Sequence, residues 1–440
     1  MSSTDHTDRL LAPVAGWLLL LAILLSVAHG LGLGITRALP GSAFWLAGLL
    51  LAGRVLGLQR VQTLSMLLVG GLGLVYAAWV GGEAQLQKAL GTNQALLAML
   101  AGVTFLRLIS LPEAAADELD PTGRGALWRT LLGAHLFGSV INLSAVMILG
   151  DRQSRRAAMS PLQAAVLSRG FALAAHWSPF FAAMGIALSH APGAELTVLS
   201  SVGLPLALIG LLLSGWTLSR WPDADRFVGY PMHFAALWIP ALLAGLVMGA
   251  HRLMPQVPIL TFISSMALAL TALMLLVRHG EGCANRLVGH INSGLPRMSG
   301  ELALFLAAGV LAAGIASVAE TSGWTLDLDR FGATQAGLLL VLMVTVSALG
   351  VHPVISIATA HGLLAPLAPE PNLIGITYLM AWAAGVSSSP LSGMHLAMQG
   401  RFGIDARGFL RWNGRFTALM VMIDLVALQL FERFSGTLPA

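Results

Sequence analysis

Two apolar segments of this chain are interrupted by polar, helix-breaking blocks that look like copies of one another. The first reads Gly133-Ala-His135-Leu-Phe-Gly-Ser139-Val-Ile-Asn142 and the second Gly350-Val-His352-Pro-Val-Ile-Ser356-Ile-Ala-Thr359. Laid over one another, they share Gly, His and Ser at the same three places. Each is followed by a second block, Ala174-Ala175-His176-Trp177-Ser178-Pro179 in one half and Ala383-Ala384-Gly385-Val386-Ser387-Ser388-Ser389-Pro390 in the other. Backbone amides and carbonyls at membrane depth must find partners inside the protein, so a broken segment is tolerated there only where it is buried or lines a cavity. Duplicated halves that each hold such a segment are the sequence pattern of a secondary transporter's binding region.

Lipid is the solvent this composition demands. Only 10% of the 440 residues are charged, 56% are hydrophobic and the mean hydropathy is +0.80, whereas a soluble domain carries about 25% charged residues. The net charge of +4 comes from 24 basic residues, all arginine except Lys88. They fall in short loops between apolar spans, where they set topology, so no nucleic-acid partner is implied. Cys283 is the only cysteine, which excludes an internal disulfide framework. Residues 1–13 read as a polar cytoplasmic tail without the positive start and cleavage site of a signal peptide, so the first span is expected to stay as an anchor.

About 20 apolar residues are needed to cross a bilayer. Candidate crossings fall near 14–36, 41–58, 61–81, 93–112, 162–189, 196–219, 233–253, 258–277, 301–320, 374–399 and 410–431. The segments near 125–150 and 335–367 are apolar but interrupted. If each crossed once, the cluster Arg152, Arg155 and Arg156 would lie opposite Arg124 and Arg129. If each dips in and returns, these arginines lie inside with Arg54, Arg60, Arg220, Arg278, Arg286, Arg297, Arg401, Arg407 and Arg411, while Glu83, Glu195, Asp327, Asp329 and Glu370 lie outside. The positive-inside rule selects the second arrangement. The expected fold is an all-α polytopic membrane protein with two inverted repeats, about eleven crossings and two opposed re-entrant hairpins. Its first half, 14–219, holds the hairpin near 125–150 and a broken helix near 162–189. Its second half, 220–440, holds the hairpin near 335–367 and a broken helix near 374–399. The N-terminus is then inside and the C-terminus outside, and the polar stretch 278–300 reads as an interfacial helix plus loop.

In this layout the chain resembles the ion transporter superfamily, most nearly the divalent anion:sodium symporter type of fold. The resemblance implies inverted repeats, hairpins tipped by a serine-asparagine-threonine motif, and a following crossing unwound at a proline-containing loop. It also implies that these four elements meet at mid-membrane and that the protein is a homodimer. Here the tips carry Ser139, Asn142 and Ser144 on one side and Ser356 with Thr359 on the other. The second tip has no asparagine. The unwound positions match Ser178-Pro179 and Ser387-Ser388-Ser389-Pro390.

A proline inside a crossing removes an amide donor and displaces a carbonyl one turn earlier. Beside serines it frees backbone dipoles that can hold an ion. Short hydroxyls and the Asn142 amide suit sodium, which takes oxygen ligands, or a small anion held at half-helix N-termini. Mid-membrane Ser and Thr also serve as ordinary small packing residues. Histidine as a residue type titrates near neutrality, so His135, His176 and His352 are candidates to carry a coupling proton, as is Asp424 inside the last crossing. Arg169, near the inner end of the first broken crossing, could attract a carboxylate from the cytoplasm or snorkel to the interface. No His/Cys/Asp cluster has metal-ligand spacing, and no cofactor is expected beyond sodium as a coupling ion.

The sequence therefore points to a secondary transporter of a small anion, a carboxylate by expectation, in a bacterial inner membrane and coupled to sodium or protons. The alternatives are the membrane subunit of a binding-protein-dependent carrier and an intramembrane enzyme. For the enzyme, Pro390-Leu391-Ser392-Gly393 lacks the leading glycine of a nucleophile elbow, and no His-Glu-x-x-His signature is present. The expectation is a non-enzyme.

Overall fold

The computed structural model describes residues 3–109, 118–155, 157–232, 234–323 and 330–435. Arg156, Asp327 and Asp329, which entered the charge sorting, lie outside the described residues. The fold is all-helical, and the described residues form no strand beyond one isolated bridge between Thr122 and Val228. The helices are α1 Ser3–Gly30, α2 Ala38–Leu51, α3 Gly57–Trp79, α4 Leu86–Gly91, α5 Gln94–Thr104, α6 Arg124–Ile141, α7 Leu143–Gln153, α8 Pro161–Leu173, α9 Ala182–His190 and α10 Leu196–Leu218. There follow α11 Trp238–Leu253, α12 Ile259–His279, α13 Gly282–Gly289, α14 Ser299–Ser322, α15 Ala333–Ala348, α16 Pro353–Leu364, α17 Pro371–Ser388, α18 Gly393–Phe402 and α19 Gly408–Ser435.

Local chemistry fixes several of these boundaries. Ser160 and Gln163 form a reciprocal capping box with Pro161 at the first position of α8, and each pair satisfies two amides that a helix start leaves orphaned. Glu370 accepts from the amides of Asn372 and Leu373, at 3.0 and 2.5 Å, ahead of Pro371. Seven spans among the described residues are long and apolar enough to cross a membrane: Leu11–Gly30, Gly57–Trp79, Leu86–Leu108, Leu196–Leu218, Ile259–His279, Gly282–Ser322 and Gly408–Ser435. The remaining expected crossings correspond to the shorter α2 and α11 and to the broken pairs α8/α9 and α17/α18. The tail is helical from Ser3 onward, and the stretch 278–300 consists of a turn at residues 280–281 followed by the start of one helical run, 282–322, with a π-turn at His290–Gly294.

The chain divides into two compact units. The first comprises Met1–Leu111, Trp238–Leu326 and Ala358–Pro366. In it α1 packs on α2, α3 along α14, and α5 on α12. Asn93 donates to the Phe305 carbonyl at 2.7 Å, and Thr104 meets His290 at 2.9 Å.

The second unit comprises Pro112–Leu237, Asp327–Ile357 and Leu367–Ala440. It shows the same order twice: a helix, a break and a second helix, then a broken helix, then an unbroken one. The packing repeats with it. α6 lies on α8 as α15 lies on α17; α8 lies on α10 as α17 lies on α19; and α10 meets α17 as α19 meets α8. Contacts among loops show which helix ends lie together. Arg124 pairs with Asp225 at 3.0 Å, Gln153 donates to the Val228 carbonyl at 3.1 Å, and Arg401 pairs with Asp151 at 2.5 Å. Both ends of the α6–α7 pair therefore meet the stretch 225–228 that follows α10, and the α7 end also meets the end of α18. Elsewhere, the Glu195 amide donates to Asn372 at 2.8 Å, joining the starts of α10 and α17. Glu432 accepts from the Ala333 amide at 3.0 Å and pairs with Arg330, joining the start of α15 to the end of α19.

Candidate functional site

The first hairpin turns at Asn142, whose φ is +52°. With ψ at −141° the residue lies outside the left-handed helical region, in a conformation that glycine adopts far more readily than any residue with a Cβ. Its side-chain amide donates to the Phe180 carbonyl at 3.0 Å, and the Ser178 hydroxyl donates to the Ser139 carbonyl. Ser178 Oγ in turn accepts the Phe180 amide at 3.2 Å. Hairpin tip and helix break are thus clasped together, with Pro179 half-buried between them and Ser144 half-buried one residue into α7. Ser139 Oγ returns to the Leu136 carbonyl at 2.8 Å. His135 donates from Nδ1 to the Gly170 carbonyl and accepts Trp177 Nε1–H at Nε2, both at 3.1 Å. Both of its ring nitrogens are occupied in the neutral form.

The second hairpin turns at residues 349–352, where Gly350 has φ +107° and Pro353 opens α16. Ser356 and Thr359 consequently lie inside α16 instead of at a tip, and Thr359 belongs to the first unit. The two His/Ser blocks do not superpose in structure: Gly133 is mid-helix in α6, whereas Gly350 is in the break. The residue that stands before this break as Ser139 stands before Asn142 is Ser347, buried at 1% exposure with its hydroxyl unpartnered. Glycine and a His-Pro step make this turn, so it needs no polar side chain. His352 Nδ1 accepts the Val354 amide at 3.2 Å, and its ring stands edge-on to Trp382 at 5.4 Å.

α17 runs through Ser387 and Ser388 and unwinds at Ser389 and Pro390. Ser388 back-bonds to the Ala384 carbonyl at 2.8 Å, and Ser392 caps α18. The freed Ser389 carbonyl accepts His395 Nδ1–H at 2.7 Å. From there a connected chain of hydrogen bonds crosses the unit. His395 Nε2 meets Ser168 Oγ at 2.8 Å; Asn413 Nδ2 donates to Ser168 Oγ at 3.1 Å and to the Ser387 carbonyl at 2.8 Å; Arg169 Nε donates to Asn413 Oδ1 at 2.9 Å. One assignment satisfies every member: His395 carries its proton on Nδ1, and the Ser168 hydroxyl donates to Nε2. The Ser168–His395 separation is that of a nucleophile and its base, yet both residues have zero exposure, so Ser168 lacks the approach a nucleophile needs.

Arg169 ends this chain at a chamber of about 480 Å³. The guanidinium also donates to Thr217 Oγ1 at 3.0 Å and to the Trp412 carbonyl at 2.7 Å, and it stacks over the Phe416 ring at 4.6 Å. All these partners are neutral, and the side chain is 3% exposed. A guanidinium has five N–H donors, so donors remain for a ligand. Arg411 and Arg415 line the same chamber with Trp221 and Trp412, and no carboxylate is among its lining residues. The cleft is open on one side, with Arg411 and Arg415 exposed, and only Arg169 is buried without a counter-ion; the cleft volume is large enough for a small organic anion.

A second, smaller cavity of about 10 Å³ lies on the other side of Phe416, which lines both. This volume is room for about one water. His176, Asp424, Ser387 and Thr417 face it. His176 Nε2, both Asp424 carboxylate oxygens, Ser387 Oγ and Thr417 Oγ1 have no hydrogen-bond partner. His176 Nε2 stands 3.6 Å from Asp424 Oδ1, with the two side chains 3% and 0% exposed.

Sequence reasoning singled out His176, Ser387 and Asp424 separately, and the fold brings them together. It missed Ser168, Asn413 and Thr417. The available signal was Asn413, a polar residue within two positions of Arg411 and Arg415 on an otherwise apolar crossing. Ser168, beside Arg169, gave a similar one.

These features define a helical integral membrane protein with paired helix breaks and an open cleft that has Arg169 buried in its wall. No protein-family model and no curated protein matches the chain. In structure it is similar to the YdaH transporter of Alcanivorax borkumensis, at 15% sequence identity over 97% of this chain and 98% of that one, with a TM-score of 0.44.

Proposed function

We propose that this protein is a secondary transporter of a small organic anion, a carboxylate with an apolar or aromatic body, working by alternating access in a bacterial inner membrane. The observation that carries the reading is Arg169: a buried cation held by neutral partners at the wall of a chamber that it shares with Arg411 and Arg415. A buried charge is retained only where it is paired or serves a ligand, and an intramembrane cation is a functional residue by default. The carboxylate fits because Arg binds it bidentately. The apolar body fits because Trp221, Trp412, Phe416, Leu213 and Leu419 complete the lining. In this reading α6–α7 and α15–α16 are re-entrant hairpins of an inverted repeat; the loop contacts of α6, α7, α10, α15, α17 and α19 support it. The two clasped or unwound breaks, at Ser178-Pro179 and Ser389-Pro390, are the places where helices can shift relative to the chamber.

The test is binding to the purified chain in detergent, with benzoate as the smallest aromatic carboxylate and benzamide as its neutral counterpart. Benzoate should raise the unfolding temperature and benzamide should not. Arg169→Gln should weaken benzoate binding by about 10- to 150-fold, the loss of a charge-assisted bond of about 1.5–3 kcal/mol. Equal binding of the two, or an Arg169→Gln protein that is folded and binds as before, overturns the reading. Stabilisation by anionic phospholipid alone would make the chamber a lipid site.

A further inference from the structure

We infer that His176 and Asp424 form the binding site for one coupling proton, with Ser387 and Thr417 completing its shell and Phe416 separating it from the Arg169 chamber. The inference rests on the transport reading above and specifies its coupling ion. It starts from hydrogen-bond direction. His176 Nδ1 lies 3.3 Å from the Leu173 carbonyl, and a carbonyl only accepts, so Nδ1 carries the proton. Nε2 is then a lone pair, and it faces the Asp424 carboxylate at 3.6 Å. Two acceptors confront one another in a buried place where no partner reaches either atom. The arrangement is one positive charge short. A proton supplies it: it leaves hydronium, bonds to Nε2 or to a carboxylate oxygen, and returns to water on the other side. The cavity beside the pair has room for about one water to pass it on.

Three other candidate histidines, His135, His395 and His352, lack this geometry. His135 and His395 have both ring nitrogens engaged in neutral pairs, and His352 Nδ1 accepts a backbone amide. Around the pair, α6 contributes His135, α8 contributes Arg169, α9 contributes His190 and α17 contributes Tyr378 alone, while α10 and α15 have no titratable residue. On α19 the neighbours are Arg411 and Arg415 toward the cleft and Glu432 and Arg433 toward the far end. No Lys, Glu or second Asp lines the cavity. Sodium is the rival occupant, since the carboxylate and the two hydroxyls are hard oxygen ligands. The lone pair on Nε2 favours the proton.

The shared wall gives the coupling a sign. Without the proton the pair carries one negative charge, which disfavours an anion beyond Phe416; with it the pair is neutral. Proton and anion therefore bind cooperatively, and the coupling is reciprocal, typically about 5- to 150-fold. The direction is symport: one proton accompanies each anion.

The proton site can be tested without any anion. Infrared difference spectra of the purified full-length protein across a pH titration should show one protonation per chain that disappears in Asp424→Asn and loses its imidazole component in His176→Gln. Unchanged titration in both folded variants overturns the inference. So does a sodium-specific stabilisation, absent in choline, that Asp424→Asn abolishes. Benzoate binding to wild type should tighten at least 5-fold when the site is protonated, and this dependence should vanish in Asp424→Asn. Loss of benzoate binding at every pH, with the titration intact, would instead strike the transport reading and leave the proton site standing.

Discussion

The imidazole of His395 lies flat on the ring of Phe409, with centroids 3.6 Å apart and planes within 7°. The stack fixes the ring so that Nδ1 points at the Ser389 carbonyl and Nε2 at Ser168. Unwinding at Pro390 frees that carbonyl, and the histidine from the next helix returns a donor to it. His395 is thus the residue that makes the second break affordable at full burial. His395→Ala should remove one of the two donors to the Ser389 carbonyl, which keeps the Ser392 amide at 3.2 Å, and leave the Ser168 hydroxyl proton without its acceptor, an orphaned group that costs about 1–3 kcal/mol. A clear fall in unfolding temperature in detergent is expected, with a smaller fall for His395→Gln, which keeps one donor. An unchanged transition in His395→Ala would show that the network is not holding the break.

Gly203 of α10 lets that helix touch the first break. A Cβ placed there would lie 1.8 Å from the His176 carbonyl oxygen, and Ser200, on the same helix, donates to the Trp177 carbonyl at 2.9 Å. Gly203→Ala must push α10 away from residues 176–177. Overpacking of this kind costs about 1–3 kcal/mol, and it should loosen His176 against Asp424. Gly249→Ala in α11, where a Cβ meets nothing within 4 Å, should be neutral or slightly stabilising. Thermal unfolding of the two variants side by side checks the contrast.

Asn142 combines a backbone role with a side-chain role, and two substitutions separate them. Asn142→Ala and Asn142→Gly both remove the bond to the Phe180 carbonyl. Alanine must also hold φ near +52° with ψ near −141°, which costs a residue with a Cβ about 1–3 kcal/mol. The glycine variant should therefore be the more stable of the two by about 1 kcal/mol, although both fall below wild type. Equal stabilities would mean that the turn relaxes when the side chain is lost.

The order of elements was legible because breaks in apolar segments are visible as Gly, Ser and Pro blocks, and helices at 161–173, 182–190, 371–388 and 393–402 fall within a few residues of the segments so marked. The register of the second hairpin was not. His352 and Ser356 matched His135 and Ser139 by residue type, but a glycine at φ +107° decides where the chain turns, and residue type alone carries no dihedral angle. The chamber was hidden for a different reason. Arg169 and Arg415 are far apart in sequence and meet only because α8 and α19 pack together. Likewise Asp424 and His176 each looked like an isolated polar residue, and only the crossing of α19 over the first break makes them a pair.

The sidedness of the first hairpin follows from contacts at its two ends. Arg124, at the start of α6, pairs with Asp225, and Gln153, at the end of α7, donates to the Val228 carbonyl. Only two residues separate the anchor points Asp225 and Val228, so the two ends of the hairpin lie close together, and both are expected at one membrane face. Glu195 and Asn372 meet each other at the starts of α10 and α17; α10 runs 23 residues from there to Leu218, long enough to cross a bilayer about 30 Å thick. In a background where the sole cysteine, Cys283, is replaced by serine, cysteines at Arg124 and Arg155 should react with an impermeant maleimide from one side. A cysteine at Glu195 should react from the other. The arginine-rich ends should be the cytoplasmic ones, as the positive-inside bias requires. Labelling of Arg124→Cys and Arg155→Cys from opposite sides would mean that α6 and α7 together cross the membrane, which removes the inverted repeat and the alternating-access reading with it.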